Sequence, residues 1–242
     1  MVNGLNNKME ICVLGSNGFI GRNLVRDLGA TGISHQDLDL TNRAAVDYFF
    51  ENNTFDVVVN CAAIGGSRLA KDYEKVFKNN VLMFENVARH AHKFRRLVWF
   101  SSGAALCSPE TPYGRAKQEC ESLARAIPNC QVYRIYGCYG PDEPHTRFIS
   151  SCLSGQVKIH ENKYFDFFWV GDIHKVVSNF TKCDGRVRDL VYETKRTLAE
   201  VARLNGISAE DTPLGLSYIG EFNEEIADAI GVLNRHPVMG SE

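Results

Sequence analysis

The chain has 242 residues, of which 44% are hydrophobic and 23% charged, and its formal net charge is −2. That length and balance suit one large α/β domain or a domain and a half, and the near-neutral charge gives no global pull toward nucleic acid. No apolar run reaches the ~18 residues that a membrane span needs, and the polar opening Met1 to Lys8 holds no secretory apolar core. Eight cysteines are scattered with no C-x-x-C among them, and Cys12 and Cys61 sit in apolar stretches. This reads as reduced, packed thiols in a cytoplasmic setting, with neither a disulfide framework nor a metal site.

Strand and helix patterns alternate without an internal repeat, which argues for a parallel sheet covered on both faces. Residues 9–14 read as a short buried strand that ends at a glycine, and helix-like sequence follows over 19–28. Between them lies Gly15-Ser16-Asn17-Gly18-Phe19-Ile20-Gly21, a G-x-x-G-x-x-G in the strand-to-helix context of a dinucleotide site. Gly15 permits the tight turn, Gly18 lets the backbone approach a pyrophosphate, and Gly21 lets the helix pack close to the strand. The helix N-terminus then offers N–H groups and partial positive charge to the phosphates. The second strand is weak, with only 32–34 available before the polar 35–37. Asp39-Leu40-Thr41-Asn42 opens a helix through Val46 and Phe50, with Thr41 or Asn42 as N-cap. Residues 55–63 form a strand ending in Cys61-Ala62-Ala63, small residues that leave room for a flat ligand at the sheet's crevice. A long helix follows over 73–92, then a strand over 97–100 ending at Ser101-Ser102, a helix over 113–126, and a strand over 131–135 ending at Tyr136-Gly137.

Tyr113 and Lys117 share one helix face, one turn apart. An ammonium beside a phenol favours the phenolate, which turns an inert group into a proton donor or acceptor near neutral pH.

A G-x-x-G-x-x-G followed about a hundred residues later by Y-x-x-x-K resembles the extended short-chain dehydrogenase/reductase superfamily, over roughly residues 9–180. The resemblance implies a Rossmann-type doubly wound parallel sheet over 9–140. A small, shortened substrate region at 141–242 would be interleaved with its end. The run from Asp37-Leu38-Asp39-Leu40-Thr41 to Ala62-Ala63-Ile64-Gly65-Gly66 is similar to the GDP-fucose synthases and dTDP-4-dehydrorhamnose reductases. Those families reduce the 4-keto group of a nucleotide-linked 6-deoxysugar with NADPH or NADH. Carried over, the resemblance places NAD or NADP against Gly15, Ser16, Asn17, Gly18, Phe19, Ile20 and Gly21. It adds Asp39 and Leu40 near the adenine, then Cys61, Ala62, Ala63, Asn80, Tyr113, Lys117 and Tyr136. Catalysis falls to Ser102, Tyr113 and Lys117: hydride passes from the nicotinamide to the keto carbon while Tyr113 protonates the oxygen. Ser102, a better match than Ser101, hydrogen-bonds that oxygen, and Lys117 also holds the nicotinamide ribose. The resemblance further implies a homodimer through the helices at 73–92 and 113–126, whose apolar positions exceed one stripe.

The chain departs from the family pattern in several places. In the stretch from Tyr133 to Pro141, Gly137 stands where an Asn is usual, and Phe165 replaces an Arg that often faces the substrate diphosphate. Arg147 and Lys158 are candidates to replace that charge, so substrate contacts are expected at Ser102, Gly137 and Arg147. Dehydratases carry Thr-Asp-Glu where this chain has Ser102-Gly103-Ala104, so elimination of water lacks its acid and base. The Cys and His that fucose synthases use for epimerisation are not in register, since Cys107 and His145 are only near matches. Plain reduction is the leading reading, a nucleotide-sugar 4-epimerase that keeps its NAD is the second, and a non-catalytic dinucleotide sensor is the third. NAD versus NADP stays open. Asn17 stands where NADP-binding relatives carry Arg, and Ile33-Ser34-His35-Gln36 offers only His35. Asp37 and Asp39 fall late for a ribose-binding acid, and Arg22 or Arg43 are candidate phosphate partners.

Overall fold

A computed structural model describes residues 9–67, 70–210 and 213–238, so the polar first eight residues lie outside the described ones. In chain order the first elements are β1 (Ile11–Leu14), α1 (Phe19–Leu28), β2 (Thr31–Ile33), α2 (Arg43–Asn52), β3 (Val57–Asn60) and α3 (Glu74–Ala88). Next come β4 (Arg96–Ser102), α4 (Ala104–Cys107), α5 (Pro112–Ala124) and β5 (Cys130–Ile135). The remainder comprises β6 (Gly137–Tyr139), α6 (Phe148–Leu153), β7 (Phe167–Trp169), α7 (Val170–Asn179), β8 (Val187–Leu190), α8 (Leu198–Leu204) and α9 (Glu224–Ile230). Six strands form an all-parallel sheet in the order β2-β1-β3-β4-β5-β8. This is the Rossmann-type α/β sheet that the sequence implies.

Period-two alternation sorts the core into two layers. From β1, β3 and β4, the side chains of Ile11, Val13, Val57, Val59, Val98 and Phe100 join α1, α7 and α9 on one face. Their neighbours Cys12, Leu14, Val58, Leu97 and Trp99 join α2, α3 and α5 on the other. Of the two expected caps for α2, Asn42 takes the position, its side chain accepting from the Ala45 N–H. The weak second strand is β2, three residues long at the sheet edge and partly exposed.

Past β5 the chain builds a smaller unit. β6 and β7 pair in parallel, and α6 and α8 share a cluster with Tyr139, Phe148, Ile149, Leu198 and Val201. The chain then returns to the large sheet: β8 adds the sixth strand beside β5, while α7 and α9 pack in the layer of α1. Residues 170–190 and 224–230 therefore pack in the layers of the large sheet.

Candidate functional site

The strand order runs outward in both directions from β1 and β3, so the loops after these two strands diverge and leave a crevice at their C-terminal ends. The glycine-rich turn lines it. Gly15 adopts φ +75 and its N–H donates to the Ile33 carbonyl at 2.9 Å, which ties the turn to the end of β2. A Cβ on Gly21 would collide with the Gly15 carbonyl, so only glycine lets α1 start this close to the turn. The Gly18 N–H closes the turn on the Gly15 carbonyl at 3.0 Å, and Gly18 caps α1 without a side-chain bond. The first-turn N–H groups of Phe19, Ile20 and Gly21 then have no intrahelical acceptor, which suits a phosphate. Ser16 donates its N–H to Ile33, and the Asn17 carbonyl accepts from Arg22 at 2.8 Å. Arg147, expected on the substrate side, lies instead beside this turn: its guanidinium is 5.4 Å from the centre of the Phe19 ring and 3.6 Å from Glu143. His145 is exposed on the same loop, and Lys158 is exposed farther along.

The loop after β3 forms the other wall. The Cys61 N–H donates to Leu14, and the Ala62 N–H donates to the Asn60 side chain at 3.0 Å. Ala63 is exposed beyond them. Burial holds the Cys61 thiol well above its ordinary range. Asn80, expected to touch the cofactor, does something else. Its amide donates to the Ile64 and Val76 carbonyls at 2.7 and 2.8 Å and accepts from the Ile64 N–H at 3.0 Å. Both donors are spent, so Asn80 braces the loop from below. Leu40 is also buried in the core layer, which leaves Asp39 as the exposed member of the expected adenine pair.

At the C-terminal ends of β4 and β5 the chemistry-bearing residues meet. Thr111 caps α5, accepting from the Gly114 N–H, and Pro112 fills the first turn. This start places Lys117 against β4, while the Tyr113 ring lies over Gly66 on the loop after β3. The Lys117 ammonium is 3% exposed, donates to the Phe100 carbonyl at 2.8 Å, and lies 4.7 Å from the Trp99 ring centre and 5.5 Å from that of Tyr113. Carbonyl and ring together fix a cation that would otherwise be costly to bury.

The two serines of β4 point to opposite faces. Ser101 donates to Glu121 at 2.6 Å, inside a buried network the sequence reading missed. Arg134 donates to both Glu121 oxygens at 2.7 and 2.6 Å and lies 3.4 Å from Asp189, which accepts from the Tyr136 hydroxyl at 3.1 Å. Glu121 stands one turn beyond Lys117, so the spacing Y-x-x-x-K-x-x-x-E was its available signal. Ser102 faces the other way, accepting from the Ala104 N–H at 3.2 Å, with the half-buried Tyr218 phenol beside it. Nothing local in the sequence marks Tyr218, since it arrives from a loop after α8.

Tyr136 was expected at the cofactor, but its side chain serves other partners. Its ring lies against Gly103, where any Cβ would clash with it, and its hydroxyl serves Asp189. Burial, reinforced by Asp189, holds that phenol well above its usual range. Gly103 therefore lacks a side chain because Tyr136 fills its space. Cys107, four residues on, has its thiol raised by burial, so it is a proton holder and not a ready base.

Residues 11–192 match the sequence profile of the "NAD dependent epimerase/dehydratase family". The chain belongs to that family. Members are NAD(P)-dependent enzymes of nucleotide-sugar chemistry, and NAD or NADP is the cofactor. The Arabidopsis thaliana protein named "Probable UDP-arabinose 4-epimerase 3" is 33% identical over 103 residues, covering 35% of this chain and 25% of that protein. The match thus spans about a quarter of that relative's length. Among solved structures, a dTDP-4-dehydrorhamnose reductase ortholog from Clostridium acetobutylicum aligns with a TM-score of 0.71 at 24% identity, over 85% of this chain and 83% of that one. The Bordetella bronchiseptica enzyme WbmG, in complex with NAD and UDP, aligns with a TM-score of 0.77 at 17% identity, over 97% and 91%. At these identities the likeness shows the fold. Glycine is required at 15 and 21 by the close packing of the turn itself, since a Cβ on either would meet the backbone of Ala62 or of Gly15. Among the described residues no helix is long and apolar enough to cross a membrane, and no cluster of His, Cys, Asp or Glu suits a metal ion.

Proposed function

We propose that this family member reduces the 4-keto group of a nucleotide-linked 6-deoxysugar. The observation that carries the reading is the buried Lys117 ammonium held 5.5 Å from the Tyr113 ring, with Tyr136 filling the space over Gly103 where a dehydratase needs an acid. When bound, the reduced nicotinamide supplies the hydride. Tyr113 gives its proton to the oxygen that gains charge, and the Lys117 ammonium, pinned by Phe100, stabilises the charge left on the phenol. Ser102 holds the same oxygen by a hydrogen bond. The solved neighbour WbmG was captured with UDP, which supports a nucleoside-diphosphate substrate.

The same residues serve a 4-epimerase, and the 33% match to a UDP-arabinose 4-epimerase favours that second reading. Incubation with UDP-, GDP- and dTDP-linked 4-keto-6-deoxysugars separates the two. A reductase consumes one NADH or NADPH per product formed. An epimerase, supplied with UDP-arabinose, inverts its carbon 4 with no net consumption of NADH or NADPH. Binding of NADH without turnover of any of these would leave the sensor reading standing and refute both enzymes.

On cofactor choice the reading favours NAD(H). Asp37 folds back on the end of β2: its Oδ2 accepts from the Ser34 N–H at 2.8 Å and from the Ser34 hydroxyl at 2.6 Å. Those bonds hold its carboxyl below the usual range, so it stays ionised. A carboxylate there accepts from a ribose 2′-hydroxyl and repels a 2′-phosphate. The candidate phosphate partners turn elsewhere, Arg22 to the Asn17 carbonyl, Arg43 toward Asp47 at 3.8 Å and His35 toward Asp39 at 4.0 Å.

A further inference from the structure

The paired glycines that end Ala62-Ala63-Ile64-Gly65-Gly66 have different neighbours. Both adopt a left-handed backbone, with φ +84 at Gly65 and φ +73 at Gly66. A Cβ on Gly65 would meet the Asp72 carboxylate at 2.5 Å and the Val76 side chain at 2.6 Å. A Cβ on Gly66 would meet Cε1 and Cζ of the Tyr113 ring at 2.8 and 2.9 Å. Cζ carries the hydroxyl, so the Gly66 backbone lies against the reacting end of the phenol.

Asp72, just ahead of α3, holds that backbone in place. Its Oδ1 and Oδ2 accept from the Gly66 N–H at 3.2 and 3.1 Å. A carboxylate acceptor makes this a charge-assisted bond, stronger than one between neutral groups. Two more ties refer the contact to α3. Asn80 bonds both the N–H and the carbonyl of Ile64, two residues before Gly66. From the other side, Arg115, two residues after Tyr113, lies 2.5 Å from Glu74 and 5.0 Å from the centre of the Phe77 ring. The phenol and the glycine beside it are therefore both anchored on one helix. The ring needs such a neighbour, because the χ2 well of a tyrosine is broad and the helix fixes only where the side chain begins. The Lys117 ammonium, 5.5 Å from the ring centre, supplies charge, and a point charge does not set the ring's plane. Backbone packed on the ring does. Proton transfer is sensitive to such placement, since an error of about 1 Å can cost ~10²-fold in rate.

We propose that Asp72 is a positioning residue that latches the Gly66 backbone against the Tyr113 ring and so aims the phenol hydroxyl at the substrate carbonyl. The proposal rests on the reading of Tyr113 as the proton donor. The competing role for Asp72 is purely structural, a carboxylate that complements the N-terminus of α3.

Two variants separate these roles. Asp72→Asn keeps a side-chain oxygen that can accept from Gly66, and Asp72→Ala does not. With the nucleotide-linked 4-keto-6-deoxysugar that the wild type reduces fastest, Asp72→Ala should lower kcat roughly tenfold. KM and NADH affinity should stay within about twofold of wild type, and Asp72→Asn should recover most of the rate. In the Tyr113→Phe background, Asp72→Ala should add no further loss. A loss confined to KM, equal losses in the two variants, or additive losses would overturn the proposal. NMR of protein labelled at the tyrosine ring carbons gives a readout free of substrate. Asp72→Ala should shift the Tyr113 resonance, identified by its disappearance in Tyr113→Phe, and Asp72→Asn should leave it close to its wild-type position. An unmoved Tyr113 signal with a lowered Tm would show that Asp72 serves α3 alone and refute the latch. If the wild type turned over none of the sugars, the reductase reading would fall, while the NMR result would still decide whether Asp72 positions Tyr113.

Discussion

Tyr113, Lys117 and Ser102 are placed by three different devices: a capped helix start, a carbonyl on a strand end, and the N–H of Ala104 just beyond that strand. Their separate roles predict separate phenotypes. Tyr113→Phe removes only the proton donor, so steady-state assays should show turnover reduced by at least ~10²-fold with NADH affinity nearly unchanged. Lys117→Ala should weaken both turnover and NADH binding, because it also leaves the Phe100 carbonyl without its donor. Asp37 gives a prediction that needs no substrate. Fluorescence titration should find NADH bound more tightly than NADPH, and Asp37→Asn should narrow the gap by removing the repulsion. Equal affinities in the wild type would contradict the placement of Asp37 at the ribose. The sequence made Tyr113 and Lys117 legible because a four-residue spacing on a helix is local. It hid Asp37, whose carboxylate reaches the β2 end by folding back three residues, and Tyr218, which reaches the Phe165 ring from a loop far along the chain.

At the scale of elements, α5, β5 and β8 are cross-tied by Glu121, Arg134 and Asp189, all largely buried. Such a network is sound only when complete, because a stranded buried charge costs about 3–5 kcal/mol. Arg134→Met should cost that much, lowering Tm by roughly 6–20 °C in calorimetry, given ~2–4 °C per kcal/mol for a chain of this size. Adding Glu121→Leu should restore part of it. A Tm within a degree or two of wild type would show that the tie contributes little. The alternation of strands and helices was readable through β5, since β1, β3 and β4 carry continuous apolar runs and the helices between them carry a stripe. Readability fell off beyond β5, where β6 and β7 are three-residue strands whose partners are set by tertiary contact. The glycine at 103 could be read as a missing acid, but not as a space taken by Tyr136.

For the molecule as a whole, the expected homodimer helices α3 and α5 cover one face of the sheet and pack on each other. Several of their apolar residues prove to be core: Phe84 is 2% exposed and lies 4.8 Å from the Trp99 ring, and Val87 is fully buried. A charge at Phe84 would unfold a monomer as readily as part a dimer, so Leu82, 38% exposed, is the position to test. An open groove of about 450 Å³ runs beside it, lined by Leu82, Phe84, Leu123 and Ile127. If the dimer forms there, sedimentation should show twice the 27.1 kDa chain mass, and Leu82→Glu should return it to the monomer with an unchanged melting curve. A single 27.1 kDa species in the wild type would refute it. The proposed reaction delivers one hydride to one carbon. Its most direct test is to supply NADH carrying deuterium at the transferable position together with a nucleotide-linked 4-keto-6-deoxysugar, and to locate the label by mass spectrometry. The account predicts deuterium on carbon 4 of the sugar at a rate at least ~10²-fold slower in Tyr113→Phe. Label that never reaches the sugar, or that arrives equally fast without the Tyr113 hydroxyl, would contradict it.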